Sequence, residues 1–208
     1  MNLKEAIKEA RNTERKFKQT FDIIINLKNI DLKRPENRIK TDVNLPKGLG
    51  KPSKIGLIVD ALASETVGLE NVIVIKRDEL IKLDKKKIKK LCSEVKMFLA
   101  EAPLMPLVGK HMGQVLAPKG MMPKPIPTTL KDLKGPIAKF TNDVKINVTK
   151  SPTAQAPLGT VDMSDEDIEI NAKAVINAVS AALPRGKEQI KSLLIKTTMG
   201  KPVRVSKW

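Results

Sequence analysis

Two short runs of uninterrupted apolar residues, 55–59 and 72–75, constrain the fold of this chain most strongly. Apolar runs of this length are typical of strands that are buried on both faces of a parallel sheet. The helical patterns that alternate with these runs lie at 61–67, 85–97, 103–112 and 128–134, and residues 97–100 fit a further strand. This alternation predicts a three-layer α/β unit in the middle of the chain.

The two ends of the chain predict a mixture of helix and strand without that alternation. Before the middle unit, helical spacing at 2–15 is followed by strand patterns at 21–27 and 39–45. After it, strand patterns lie at 144–148, 192–197 and 203–205. Between those strands, Ser164 and the three acidic residues after it are typical of a helix start, and Pro184 and Gly186 end that helix.

Neither end carries enough elements to complete a domain by itself. We therefore expect residues 1–52 and 143–208 to form one discontinuous α+β domain, into which an α/β domain of residues 53–142 is inserted. The alternative is three small units in a row, each of which would bury little apolar surface. Insertion implies two chain crossings, near 50–53 and near 141–143.

The charge balance indicates a polyanionic partner. The chain has 39 Lys and Arg against 23 Asp and Glu, a formal net charge of +16. A surplus of this size usually serves nucleic-acid binding, and the predominance of Lys over Arg favours contact with phosphates over readout of base edges. The alternative is a Lys-rich surface that aids solubility or thermal stability, but such a surface would normally carry a matching number of acidic residues.

The chain offers few residues for catalysis. A single His and a single Cys leave little from which to build a triad or a metal cage, and His111 has no partner cluster. The stretch 48–51 imitates a phosphate loop, but its spacing is wrong and Pro52 replaces the Ser or Thr. We therefore expect a cytoplasmic binding protein with no enzymatic activity, cofactor or metal, and no apolar run suits a membrane span.

The scarcity of aromatic residues narrows the kind of nucleic acid. Four Phe, one Trp and no Tyr cannot furnish the large stacking platform that single-strand readers use. Zinc-finger spacing and a basic zipper are absent from the sequence as well. The remaining partner is a structured RNA, recognised by its shape, its phosphates and its 2′-hydroxyls.

Two segments are candidates for RNA contact. In 196–201, Gly200 lets a ligand approach the backbone, the Thr hydroxyls can donate to phosphate or ribose, Met199 offers a soft apolar face, and Lys196 and Lys201 bracket the patch. In 16–20, an aromatic residue between two Lys can stack on a base or a ribose. The alternatives are an ordinary turn for the first segment and, for the second, a Phe that packs the first helix against the first strand.

Two further segments are unusual in composition. Residues 109–124 contain several Gly, Pro, Lys and Met, which predicts a long irregular loop, and such loops are usually functional. The alternative is a loop packed by its own Met side chains. Residues 82–90 are dense in Lys, and a solvated helix face explains that run better than a binding site does.

Five segments follow one another along the chain: Lys16-Phe17 and residues 45–51, 109–123, 154–159 and 197–200. Taken in this order, they give the chain a resemblance, over nearly its whole length, to the archaeal type of the L1 family of large-subunit ribosomal proteins. It implies two α/β domains: a discontinuous split β-α-β domain that carries the main RNA site, and an inserted Rossmann-like domain without a cofactor. A flexible double crossing, with Gly48, Gly50 and Asn142 as hinge candidates, would join them.

The resemblance also implies partners and contact residues. The partners are rRNA of the mobile side stalk, exit-site tRNA, whose release the protein assists, and the protein's own mRNA, whose translation it represses. The protein is expected to be a monomer when free, and its location is the ribosome in the cytoplasm. The implied RNA contacts are Lys16, Phe17, Ser192, Thr198, Met199 and Gly200, to which the residue patterns add Thr20 and Lys196.

Two rival functions remain open from the sequence. The first is an enzyme that acts on a phosphorylated substrate in the middle domain. The second is a nonspecific chromatin-like or RNA-chaperone protein. Nucleotide binding would favour the first, and loss of the target in competition with bulk tRNA would favour the second.

Overall fold

The computed structural model describes residues 1–11, 15–34, 37–51, 53–60, 71–127, 134–149 and 151–206. Its helices are α1 (Leu3–Arg11), α2 (Arg77–Lys82), α3 (Lys85–Glu94), α4 (Met105–Leu116), α5 (Lys134–Asn142) and α6 (Asp165–Ala182). Its strands are β1 (Thr20–Leu27), β2 (Ile39–Asn44), β3 (Lys54–Val59), β4 (Val72–Lys76), β5 (Val95–Glu101), β6 (Lys124–Ile126), β7 (Asp143–Val148), β8 (Thr153–Thr160), β9 (Ile190–Thr197) and β10 (Val203–Val205). Parallel and antiparallel sheets occur together, which confirms the predicted α/β (α+β) class.

The chain divides into two compact units. The first unit comprises Met1–Lys51 and Asn142–Trp208, so it is built from both ends of the chain. The second unit comprises Pro52–Thr141 and is contiguous in sequence.

The first unit has an antiparallel sheet with one covered face. The strand order is β10-β9-β1-β8, and β2 pairs with β7 in a separate two-stranded ribbon. Alternate side chains of β1 and β9, such as Phe21, Ile23 and Ile195, join one core with apolar residues of α1 and α6. The intervening side chains, such as Asp22 and Lys196, lie on the opposite face and stay partly exposed. This period-two pattern leaves one sheet face partly exposed and available to a partner, with polar side chains on either side of the apolar pair Ile24 and Leu194.

The helix α6 begins where the sequence predicts. The Ser164 hydroxyl accepts a hydrogen bond from the Asp167 backbone N–H at 3.1 Å and donates to Asp167 Oδ2 at 2.8 Å. The hydrogen bond from Ser164 and the neighbouring Lys47 lower the pKa of Asp167. The charged carboxylate therefore stays at the positive end of the helix, where it stabilises the first turn.

The second unit is built around a parallel sheet of order β4-β3-β5-β6. One core cluster lies between the sheet and α2, α3 and α4, and a second cluster on the other side includes Ile137 of α5. The two apolar runs of the sequence are therefore the neighbouring strands β3 and β4. The expected burial on both faces holds for β3 and is wrong for β4, which ends the strand order and in which only Ile75 is buried. The helical pattern expected at 61–67 falls outside the described residues, and so does the one expected at 128–134 except for Lys134, the first residue of α5.

The prediction of a long irregular loop at 109–124 is wrong for the first half of that segment. Helix α4 extends to Leu116, and only residues 117–123 lack regular structure before β6 begins. Val108, Met112 and Leu116 recur at helical spacing and are fully buried, so their packing outweighs the low helix propensity of Gly109 and Gly113.

Several element boundaries also differ from the expectation. The helix expected at 85–97 ends at Glu94, because Val95 already belongs to β5, where it pairs with Lys54. The helix expected at 2–15 ends, within the described residues, at Arg11. The short helix α2 was not expected, and β8 was not expected as a strand on its own pattern.

Candidate nucleic-acid interface

The pairing of β1 with β9 brings two sequence-distant segments together. The strands are antiparallel, and Phe21 lies opposite Thr197. The residues that precede β1 and those that follow β9 therefore meet at the same end of the sheet. The two candidate segments of the sequence, 16–20 and 196–201, are thus neighbours in the fold.

Three hydrogen bonds lock these segments to each other. The Thr198 hydroxyl accepts from the Thr20 N–H at 3.1 Å and donates to the Thr20 carbonyl at 3.3 Å. The Met199 N–H donates to Oε1 of Gln19, whose side chain is buried, at 3.1 Å. A turn bond from the Gly200 N–H to the Thr197 carbonyl, at 3.0 Å, closes the loop. We call the surface formed by residues 15–20 and 197–200 the paired-turn surface. The hydrogen bonds hold its central part, residues 19–20 and 197–200, in one shape before any ligand binds.

Two large apolar side chains are exposed on the paired-turn surface. Phe17 is 51% exposed and Met199 is 60% exposed, whereas Phe21, the second residue of β1, is fully buried. The alternative in which Phe17 packs α1 against β1 therefore does not hold. Both side chains present faces on which a base or a ribose can pack.

Cations surround Phe17 in an open cleft of about 340 Å³. Two of them are engaged within the protein: Arg11 pairs with Asp165 at 2.6 Å, and Lys18 pairs with Asp162 at 2.9 Å, which raises the pKa of Lys18. Arg15 and Lys16 have no acidic partner among the described residues, so their charge remains available to a phosphate.

Arg11 has a structural role that the sequence did not suggest. Its guanidinium donates to the carbonyls of Val161 and Met163 and lies 5.3 Å from the centre of the Phe21 ring. It therefore connects α1 to the segment that leads into α6.

The remaining predicted contacts lie on the open face of the sheet. Lys196 is opposite Asp22 on β1, and Ser192 accepts a hydrogen bond from Asn26 Nδ2 at 2.9 Å. Ser192 is four residues from Lys196 along β9, roughly 13 Å at the usual strand rise. It therefore lies apart from the paired-turn surface, on the same face.

One hydroxyl expected to face a ligand does not. Thr197 is fully buried, and its Oγ1 donates to the Ala10 carbonyl at 3.4 Å. Strand alternation explains the difference, because Lys196 and Thr198 flank Thr197 on the opposite side. Of the two Thr hydroxyls in this segment, only that of Thr198 lies at the surface.

Gln19, Lys51 and Asp22 belong to this region but were not singled out from the sequence. Lys51 Nζ lies 3.4 Å from the Thr20 hydroxyl and so adds a cation beside the paired-turn surface. The alternation of β1 places Asp22 on the open face, and this signal was present in the sequence. Nothing in the sequence marks Gln19, because its partner Met199 is 180 residues away.

The hinge candidates are tightly packed within the first unit. Gly48 and Gly50 have φ angles of +66° and +67°. A Cβ at Gly48 would lie 2.8 Å from Asn142 Oδ1, and one at Gly50 would lie 2.6 Å from Thr160 Oγ1. Backbone conformation and close packing thus account for both glycines, and their role in a hinge stays a prediction.

Other kinds of site find no support in the described parts of the chain. No group of three His, Cys, Asp or Glu side chains there is arranged to hold a metal ion. None of the helices described has the length and apolar character needed to cross a bilayer. His111 lies within α4 as part of that helix.

Comparison with known proteins identifies the family of this chain. Residues 4–201 match the profile of the ribosomal protein L1p/L10e family. The "Large ribosomal subunit protein uL1" of Thermococcus kodakarensis is 42% identical over 209 residues, covering 99% of this chain and 97% of that protein. The proteins of the same name from Pyrococcus abyssi and Archaeoglobus fulgidus are each 43% identical, and cover 97% and 98% of this chain and 94% and 95% of their own lengths.

These relatives are all archaeal, in keeping with the archaeal type that the motifs indicate, and they match this chain along nearly its whole length. The chain therefore belongs to the ribosomal protein L1p/L10e family and is a ribosomal protein, not an enzyme.

Proposed function

We propose that this chain binds structured large-subunit rRNA through the paired-turn surface and the adjoining open face of the sheet. The observation that carries the proposal is the set of hydrogen bonds joining Thr20 to Thr198 and Gln19 to Met199. These bonds fix the backbone of Met199 and of the residues that follow Phe17, and both exposed side chains lie beside cations that lack acidic partners in the described structure. The names of the relatives, proteins of the large ribosomal subunit, support rRNA as the partner.

General affinity for RNA and discrimination between RNA folds come from different parts of this surface. Lys16, Lys196 and Lys51 supply phosphate contacts, which release counterions and speed encounter with any RNA. The Thr198 hydroxyl, the backbone at Gly200 and the faces of Phe17 and Met199 have a fixed geometry that only a matching RNA fold satisfies. Because this geometry exists before binding, the protein loses little conformational entropy when RNA binds, and the affinity is correspondingly higher.

The finer parts of the proposed function rest on the family resemblance. The rRNA element is the mobile side stalk, and there the protein assists release of exit-site tRNA. A site in its own mRNA that mimics the rRNA site allows the protein to repress its own translation. Because the mRNA site mimics the rRNA site, both of these RNAs would occupy the same surface of the protein.

Substitution of Met199 by alanine should lower affinity for a stalk rRNA fragment by about tenfold, because the exposed side chain makes its contact only with RNA. The fold should be unaffected, since Met199 packs against no core. Filter binding at two salt concentrations measures the effect, with a scrambled hairpin and bulk tRNA as competitors.

Matched variants separate specific from general binding. Met122→Ala removes an exposed methionine of the second unit and should leave affinity unchanged. Lys16→Ala removes one of the proposed phosphate contacts, so it should weaken all RNAs alike and reduce the salt slope by about one. If Met199→Ala bound the stalk fragment as tightly as the parent protein, the assignment of this surface would be wrong.

The proposal includes opening of the two units on RNA, with Gly48, Gly50 and Asn142 at the crossings as the hinge. Small-angle scattering with and without the stalk fragment should show a wider distance distribution for the protein when RNA is bound than when it is free. Identical compact distributions in both states would remove the hinge from the proposal without affecting the paired-turn surface.

A further inference from the structure

Asp22 is a carboxylate on a face that otherwise gathers positive charge. In β1 it lies opposite Lys196 on one side and Pro157 on the other. The alternation of the strand turns it away from the core, and it is half-buried on the open face. A negative charge here opposes phosphate binding, so its presence requires a reason other than affinity for phosphates.

Among the described residues, the Asp22 carboxylate has no hydrogen-bond donor. Within the described residues no N–H or O–H group reaches it, and no cation lies within 4 Å, although Lys196 and Lys51 are near enough to lower its pKa. Burial has the larger effect and raises the pKa of Asp22 above its ordinary value. A partly desolvated acceptor without a donor is unfavourable, and a ligand that supplies a donor would relieve that cost.

The RNA backbone contains one group that fits this requirement. An ionised carboxylate can only accept hydrogen bonds, and phosphate and ring oxygens can only accept as well. The ribose 2′-hydroxyl is the donor of the backbone, and DNA lacks it. Lys196 and Lys51 both lie near Asp22, so phosphates held by these cations would place a ribose between them, beside the carboxylate.

We propose that Asp22 accepts a hydrogen bond from a ribose 2′-hydroxyl of the bound RNA and so discriminates RNA from DNA at this surface. The inference rests on the proposed function, because it needs RNA on the open face of the sheet. In this role Asp22 contributes selectivity for the sugar, while the lysines on either side contribute affinity.

The test is a scan of stalk rRNA fragments that each carry one 2′-deoxynucleotide. With the parent protein, one position should show about a tenfold loss of affinity, since hydrogen bonds to charged groups are among the stronger ones. With Asp22→Ala that penalty should fall to less than about twofold, and with Asp22→Asn, which keeps an acceptor but no charge, it should be intermediate. For each variant, the affinity for the unmodified fragment is divided by the affinity for the 2′-deoxy fragment at one salt concentration. This ratio is needed because removing an acidic residue strengthens binding to every RNA.

Controls separate this role from a purely structural one. Glu9→Ala removes an exposed acidic residue of the same unit and should leave the tenfold penalty in place. Asp22→Asn should unfold at a denaturant concentration no lower than the parent, because it removes a partly buried charge. A contribution of Asp22 only to the positions of Lys196 and Lys51 would change the salt slope and leave the 2′-deoxy penalty intact.

Two results would overturn the inference. The first is an unchanged 2′-deoxy profile in Asp22→Ala. The second is loss of discrimination against inosine in place of guanosine instead of against 2′-deoxyribose, which would show that the carboxylate reads a base. If the parent protein itself did not prefer the stalk fragment to a scrambled hairpin, the proposed function would fail first, and the inference with it.

Discussion

Replacement of Asn171 by alanine should lower the free energy of unfolding by about 3 kcal/mol, because two buried backbone carbonyls and one partly buried backbone N–H would lose their partner. Asn171 is fully buried in α6. Its Nδ2 donates to the carbonyls of Gly48 and Leu158 at 2.9 and 2.8 Å, and its Oδ1 accepts from the Lys47 N–H at 3.1 Å. No other described side chain is placed to replace these bonds.

Asn177 offers a matched control on the same helix. It is exposed, so Asn177→Ala should change the free energy of unfolding by no more than about 0.5 kcal/mol. Denaturation in urea, followed by circular dichroism, compares the two variants. Equal losses for both would contradict the assignment of the effect to the buried hydrogen bonds, because the gain in helix propensity from Asn to Ala is stabilising at both positions.

Substitution of Gly56 by valine should destabilise the second unit by about 2–3 kcal/mol through overpacking. Gly56 lies in β3, directly opposite Phe98 in β5. A Cβ on Gly56 would lie 2.4 Å from Cδ1 and 2.6 Å from Cε1 of the Phe98 ring, which is fully buried. The ring has no free space into which to move, because interiors are closely packed.

The cause of that loss can be separated from a general cost of replacing glycine. Gly109 lies in α4 with open space around its Cβ position, so Gly109→Ala should stabilise the protein by about 0.5–1 kcal/mol. Adding Phe98→Leu to Gly56→Val should restore part of the lost stability, since it removes the clashing ring atoms. Additive effects of the two substitutions would contradict the overpacking explanation.

The sequence predicted the elements whose signals are local. The continuous apolar runs of β3 and β4 and the cap of α6 by Ser164 depend only on neighbouring residues. Strand β8 lacks such a signal, because Pro157 and Gly159 within it are more typical of a turn. Its place at the edge of the sheet resolves this, since an edge strand tolerates the missing N–H of a proline.

The candidate surface could be predicted only in part, for a related reason. Lys16, Phe17 and residues 198–200 were named from composition and from resemblance, and the fold shows them to be neighbours. The buried amide of Gln19 and the isolation of the Asp22 carboxylate depend on strand register between opposite ends of the chain. The register between strands so far apart in the sequence is set by tertiary packing. The residue pattern of either segment alone does not predict it.

The interleaving of the two chain ends in one sheet has a consequence for biosynthesis. Strand β1 leaves the ribosome early, but both of its partners, β8 and β9, are translated more than 120 residues later. The contiguous unit, by contrast, has all of its strands as soon as Thr141 has been added. A nascent or truncated chain would therefore lack the paired-turn surface altogether, so only completed molecules could compete for RNA.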